Sequence, residues 1–385
     1  MKRIPFIILT LTIALMLTAC ASEGPKASAP MRIEESGQPT PPKATPEPMP
    51  TQAPTKAPPS TEVTLVTHDS FDASEEVLQT FTEETGIKIN ILKAGDAGEM
   101  LNTLLLSKDA PLGDVVFGID NTFLSRALAG DLFAPYASPH LADIPDRFKL
   151  DPENRLLPMD YGYVTLNYDI QWFEERGIAP PADIEDLLKP EYKGLTVVEN
   201  PASSSPGLAF MFVTAWRFGD KGEYTFLDYW RDLKGNDVLV TDGWSDAYFG
   251  QFTAGSGGEG DRPIVVSYAT SPAAEVFFNN LPEPPTASVN TPGNSFEQIE
   301  FVGVLANSPN WEAAHKLVDF LLSPAFQEDI PTHMWVYPAN SKAAVGELFE
   351  RWADVPSQPV QLTPGEIAAN REAWIEAWTD VMLRE

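Results

Sequence analysis

Two aromatic rings and two carboxylates stand close together between Val238 and Pro272. Trp244 lies between Asp242 and Asp246 in Asp242-Gly-Trp-Ser-Asp246, and Tyr268 follows Ile264-Val-Val-Ser267. Ring faces beside carboxylates suit a flat cation, because the ring quadrupole attracts the charge and the carboxylate balances it. His68, Asp96 and Asp120 each follow a run that reads as a strand, so all three can point into one crevice. Ser204 and Ser205 precede Pro206-Gly207 and an apolar helical run. Hydroxyls and free amides at a helix N-terminus form an anion site. Tyr161 beside Gly162 is a candidate wall of the same crevice. Each of these residues also has an ordinary use, as a turn, a helix cap or a packed ring.

The elements that must position them are legible in order. Glu62–Thr67 reads as a strand. A helix follows, capped by Asp72 and Glu75 and ended by Gly86. Ile87, Ile89 and Ile91 alternate with polar residues as a strand with one better-buried face. A helix over 99–106 and a strand over 114–120 complete a βαβαβ opening, the start of a doubly wound parallel sheet. In such sheets ligands bind at the carboxyl ends of the strands. Residues 160–169 read as a long strand crossing to a second lobe, and Leu195–Val198 as a strand of that lobe. Ser205 then serves as N-cap with Pro206 at N1. Short strands are expected at Val238–Val240 and Ile264–Val266, separated by a helix-like segment and a Gly-rich loop, Gly255–Gly260. Glu297–Leu305 reads as a strand returning to the first lobe. Ser308-Pro309 opens a helix with Ala314, Leu317, Val318 and Leu321 on one stripe. A last helix, capped by Thr363 and Glu366, packs through Ile367, Trp374, Ile375 and Trp378.

The N-terminal sixty residues have a different character. Lys2 and Arg3 precede an apolar run from Ile4 to Leu17, and Leu17-Thr-Ala-Cys20 closes it. This is the layout of a bacterial secretory signal, too short for a comfortable membrane span. Cys20 is the only cysteine, so no intrachain disulfide is available. Residues 21–60 are dense in proline (Pro39, Pro41, Pro42, Pro46, Pro48 and Pro50 among them). A segment so poor in apolar surface does not offset its ordering entropy and reads as an extended tether. The body, 61–385, exceeds the usual size of one core, so two lobes are expected. Their bounds are about 61–162 with 301–332, and 163–300 with 333–385.

The formal charge of −29 argues against nucleic acid as a partner, since phosphates would be repelled. No H-E-x-x-H, G-x-S-x-G, P-loop or cysteine pair for zinc occurs, which argues against an enzyme, a resident metal or a cofactor.

The order of elements, together with Leu17-Thr-Ala-Cys20, resembles the solute-binding lipoproteins of ABC importers, with Cys20 as the lipidated residue. Motifs spread along the body narrow the likeness: Thr67-His-Asp-Ser-Phe71, Gly118-Ile-Asp-Asn121, Asp160-Tyr-Gly-Tyr163, Ser204-Ser-Pro-Gly207, Gly243-Trp-Ser-Asp-Ala-Tyr248, Ser267-Tyr-Ala-Thr-Ser-Pro-Ala273, Ser323-Pro-Ala-Phe-Gln327 and Trp335-Val-Tyr-Pro338. In this order they resemble the thiamine-binding periplasmic proteins. The resemblance implies a type II two-lobed α/β fold, each lobe a mainly parallel sheet flanked by helices, joined by two crossing strands. It implies thiamine or its phosphate esters as ligand, ABC permease and ATPase subunits as partners, and a membrane anchor through lipid at Cys20. It also implies Trp244, Tyr268 and Trp335 as stacking faces, Asp96 as the ligand's carboxylate, and Ser204 and Ser205 at the phosphate or hydroxyethyl end. Two positions depart from the family pattern: His68 and Ala274 stand where tyrosines are expected. A ferric-ion receptor using Tyr161, Tyr163 and His68, and a polyamine or oligosaccharide receptor, are the competing readings.

Overall fold

The structure is a computed structural model that describes residues 60–255 and 260–384. Cys20, the apolar run before it and nearly all of the proline-rich stretch lie outside the described residues. In chain order the elements are β1 (Glu62–Thr67), α1 (Glu75–Thr85), β2 (Lys88–Lys93), α2 (Ala97–Leu106), β3 (Val115–Asp120), α3 (Leu124–Ala129), β4 (Phe133–Ala134), β5 (Leu157–Asp169) and α4 (Ile170–Arg176). Next come β6 (Thr196–Glu199), α5 (Ser205–Phe218), α6 (Phe226–Gly235), β7 (Leu239–Thr241), β8 (Ile264–Tyr268), α7 (Ser271–Asn279), β9 (Thr286–Ser288) and β10 (Phe296–Leu305). The chain finishes with α8 (Trp311–Leu321), α9 (Pro324–Gln327), α10 (Ile330–His333), β11 (Tyr337–Pro338), α11 (Glu347–Trp352) and α12 (Pro364–Thr379).

The strands are ordered β2-β1-β3-β10-β5-β8-β6-β7. β2, β1 and β3 run parallel, and so do β8, β6 and β7. The long strands β10 and β5 join these halves by antiparallel pairing. This is the two-lobed architecture with two crossing strands. It follows from two βαβ units, each of which must cover its parallel sheet with helices. Helices α5 and α8 do so with apolar faces: Leu208 to Val213 of α5, and Ala314, Leu317, Val318 and Leu321 of α8, are buried. Helix α12 touches both halves. Arg371 lies 4.4 Å from the Phe123 ring centroid, and Trp374 packs edge-on to Phe226.

Helix starts depart from expectation by one or two residues. Ser74, not Asp72, caps α1, accepting from the Val77 N–H. Ser204, not Ser205, is the N-cap of α5, and Asn310, not Ser308, that of α8. Ser308 instead donates to buried Asp114. β2 is an edge strand with Ile91 and Leu92 exposed, so its alternation marks a half-covered edge rather than a core face. β7 begins at Leu239 and is only partly buried. The capping box of Thr363 and Glu366 on α12 is present as expected.

Candidate ligand-binding cleft

The carboxyl ends of the two parallel halves face each other, and the turns that leave them build one cavity of about 250 Å³. His68 leaves β1, Asp96 leaves β2, Trp244 leaves β7 and Tyr268 ends β8; Ser205 and Pro206 open α5. A second recess of about 270 Å³ shares His68, Asp69, Asp96 and Trp244 with it and adds Glu99, Asp242 and Asp246. The main cavity is just under the roughly 300–1,000 Å³ usual for small-molecule sites, and the adjoining recess extends it.

The aromatic walls are built by packing. Trp244 stacks on Tyr248 with centroids 5.0 Å apart and meets Tyr268 edge-on at 6.3 Å. Its indole N–H donates to Ser267 Oγ at 3.0 Å, which fixes the ring plane. Trp335 faces the cavity from a left-handed backbone conformation, φ 58°, unusual for a bulky residue. Such a conformation is costly and clusters at functional sites. Thr270 Oγ1 donates to the Trp335 carbonyl and holds the turn. Phe277 and Phe278 lie 5.3 and 5.2 Å from the Trp335 ring.

Carboxylates form the rest of the site. Asp96 accepts from Ala97 N–H at 2.7 Å and from Trp244 N–H at 3.2 Å, one from each half of the molecule. Burial raises its pKa, opposed by those hydrogen bonds. Glu300 of β10 is in register with Asp120 of β3 and Asp160 of β5, so three carboxylates stand abreast on adjacent strands. Asp120 accepts from Thr122 N–H at 2.7 Å and from the Ser205 hydroxyl; burial still pushes its pKa up to about 6. Asp160 and Glu199 are fully buried, and burial followed by neighbouring negative charge holds both far above the ordinary range. The His68 ring lies 3.5 Å from Glu300 and its pKa is raised; burial opposes this and the Glu300 charge prevails. Gly118, at φ 100°, makes room for that ring: a Cβ there would collide with His68 Cδ2.

The structure brings His68, Asp96, Ser205, Trp244, Tyr268 and Trp335 together around the cavity. It does not bring Asp120, Ser204 or Tyr161 to the lining. Asp120 and Ser204 are buried just behind it. Tyr161 packs on Phe148, Tyr163 and Tyr337 in a separate aromatic cluster, with Arg147 near its face. A tyrosine beside a crossing strand was drawn into that cluster because four rings there bury one another. Burial raises the phenols of Tyr161 and Tyr163, the latter to about 12. Among the described residues no group of three or more His, Cys, Asp and Glu is arranged to hold a metal ion.

Sequence reasoning missed Glu300, Glu275, Phe249 and Phe278, which also line the cavity. Glu275 accepts from Tyr248 OH at 2.7 Å and from Asn279 at 2.8 Å. The available signal was helical spacing: Phe278 lies one turn beyond Ala274 on α7, so both present to the same side. Glu300 carried a weaker one, an acid inside the otherwise apolar run from Ile299 to Leu305 of a central strand.

Comparison with known proteins agrees with this geometry. The profile of the family described as bacterial extracellular solute-binding protein matches residues 110–356. The thiamine-binding periplasmic protein of Salmonella typhimurium is 31% identical over 327 residues, covering 84% of this chain and 94% of that protein. Its Escherichia coli counterpart is 30% identical over 328 residues, with the same coverage. A solved structure of a periplasmic thiamin binding protein superposes with a TM-score of 0.73 at 28% identity, covering 84% of this chain and 96% of that one. The chain therefore belongs to the bacterial extracellular solute-binding protein family.

Proposed function

We propose that this protein is the extracytoplasmic receptor of an ABC importer and that its ligand is thiamine. The observation that carries this reading is one cavity in which stacking faces (Trp244, Tyr268, Trp335) and carboxylates (Asp69, Asp96, Glu275, Glu300) converge, with neither lysine nor arginine among its described lining residues. Thiamine joins a permanently cationic ring to a second heteroaromatic ring. Each cation–ring contact contributes on the order of 0.5–2 kcal/mol. Residues from both halves make the contacts, so only the closed arrangement makes them all, and ligand shifts the population toward it. The permease and ATPase subunits would read that closed form. We assign the hinge to β5 and β10, and the lobes to the two parallel halves with their helices.

His68 fills the position where the family pattern has tyrosine, and Phe278 reaches the cavity beside the small Ala274. A receptor role without turnover fits the relatives, which are solute-binding proteins. Lipidation of Cys20, the proline-rich tether and removal of residues before Cys20 complete the reading, which leashes the module to a membrane surface.

Calorimetric titration of ligand-stripped protein with thiamine, spermidine and ferric citrate tests it. Binding of thiamine at micromolar concentration or tighter, with quenching of tryptophan fluorescence, is the expected result. Indifference to thiamine alongside binding of either other ligand would overturn it.

A further inference from the structure

We propose that two phenylalanines at the mouth of the cleft, Phe249 and Phe278, form an aromatic lip that binds the outer side of the ligand. The inference rests on the thiamine reading and extends that site beyond its three stacking faces.

Phe249 and Phe278 line the cavity and yet keep 42% and 56% of their surface in solvent. A ring that does both stands at the opening. Exposed apolar side chains scattered singly are ordinary. These two are not scattered, since each stands beside one of the inner faces. Phe249 meets Trp244 edge-on with centroids 5.4 Å apart, and Phe278 lies 5.2 Å from Trp335. At both places the aromatic wall is two rings deep, an indole inside and a phenyl outside.

The surrounding structure holds both rings in place. Phe249 belongs to a π-helical turn, Asp246–Gln251, whose Ala247 and Tyr248 are buried. On α7 the residues that reach the cavity are Ser271, Ala274, Glu275 and Phe278, at i, i+3, i+4 and i+7, which is one face of the helix. Tyr248 OH donates to Glu275 at 2.7 Å and ties the turn carrying Phe249 to the helix carrying Phe278. Thr270, the N-cap of α7, donates to the Trp335 carbonyl and ties that indole to the same helix. Rings already fixed on such a frame lose little freedom when a ligand covers them. Covering them removes apolar surface from water, and a flat cation adds its attraction to the ring faces.

Phe277 supplies an internal control. It is 52% exposed and lies 5.3 Å from Trp335, much as Phe278 does, but it falls off the stripe and outside the cavity lining. A ring that acts only by supporting Trp335 would be mimicked by Phe277; a ring that touches ligand would not.

The test titrates ligand-stripped full-length protein, purified in detergent, with thiamine by calorimetry. Phe249→Ala and Phe278→Ala should each weaken binding about two- to fivefold, the scale of one cation–ring contact at an exposed site. The double substitution should cost about tenfold, on the same scale of two such contacts. Phe278→Tyr keeps the ring and should bind as the unchanged protein does, and so should Phe277→Ala. Thermal melts of the ligand-free variants should match the unchanged protein, because the rings are exposed. Equal losses from Phe277→Ala and Phe278→Ala would overturn the lip in favour of support for Trp335. Unchanged affinity in the double variant would overturn it while leaving the thiamine reading intact. Absence of thiamine binding by the unchanged protein would remove both.

Discussion

The Asp96 carboxylate accepts a hydrogen bond from the Trp244 backbone N–H at 3.2 Å. Asp96 follows β2 and Trp244 follows β7, the strands at the two extremes of the sheet order. The two ends can meet only because the sheet divides into halves that turn toward each other about β5 and β10. Beside this bond, Gly98 N–H donates to the Ser203 carbonyl at 2.9 Å, and Ser205 donates to Asp120. The three contacts fasten one wall of the cleft to the other.

Asp96→Ala should weaken thiamine binding by at least about tenfold. It removes a negative charge from the cavity and leaves two N–H groups without their acceptor; hydrogen bonds to charged groups contribute about 1.5–3 kcal/mol each. Isothermal titration against the unchanged protein measures this, and equal affinities would remove Asp96 from the site.

Trp244→Ala should also cost roughly tenfold in affinity, the scale of one lost cation–ring contact. Trp244→Phe should recover part of the loss, since a ring face remains while the indole bond to Ser267 is gone. If alanine and phenylalanine behave alike, the ring is a packing element and not a binding face.

Gly98→Ala should impair closure. An added Cβ would lie 2.5 Å from the Ser203 carbonyl oxygen, where backbone meets backbone and neither side yields cheaply. Small-angle scattering with saturating thiamine should report a more open particle than the unchanged protein, and the apparent affinity should fall accordingly. A compact liganded variant with normal affinity would contradict the expectation.

Asp120 gives the free protein a stability term with a defined sign. Its pKa rises from 3.8 in the unfolded chain to about 6 in the fold. The native state therefore binds the proton more tightly, so this term is fully present below 3.8 and is lost as pH climbs through about 6. Asp120→Asn does not ionise and can still pair with Ser205 and Thr122. Its melting temperature relative to the unchanged protein should therefore increase as pH rises from about 4 to above 6 and level off beyond. Thermal melts across that range check it; a difference that stays flat would contradict the assignment.

Cys20→Ser should move the protein from the membrane fraction to the soluble extracytoplasmic fraction without altering thiamine affinity. Fractionation with a binding assay on each fraction reads both outcomes, and unchanged membrane association would exclude Cys20 as the anchor.

The sequence by itself determined the order of strands and helices, the turns at their carboxyl ends and the rings those turns carry. These are set by local periodicity and by capping chemistry, as with Thr363 and Glu366, or by backbone needs such as that of Gly118. Residues that leave strand ends, His68, Asp96, Trp244 and Tyr268, were legible for the same reason. Cap positions were less so: Ser74 caps α1 in place of Asp72 two residues away, and at α5 Ser204 holds the N-cap position without a side-chain cap bond while the Ser205 hydroxyl turns to Asp120. What only the tertiary structure decided was pairing between distant segments. Glu300 joins the site because β10 lies between β3 and β5 in a register that sets it beside Asp120 and Asp160. Tyr161 leaves it because four rings from three segments, Phe148, Tyr161 and Tyr163 of β5, and Tyr337, pack against one another. Long-range register and ring packing depend on which surfaces meet after the chain collapses, and no window of local sequence encodes that choice.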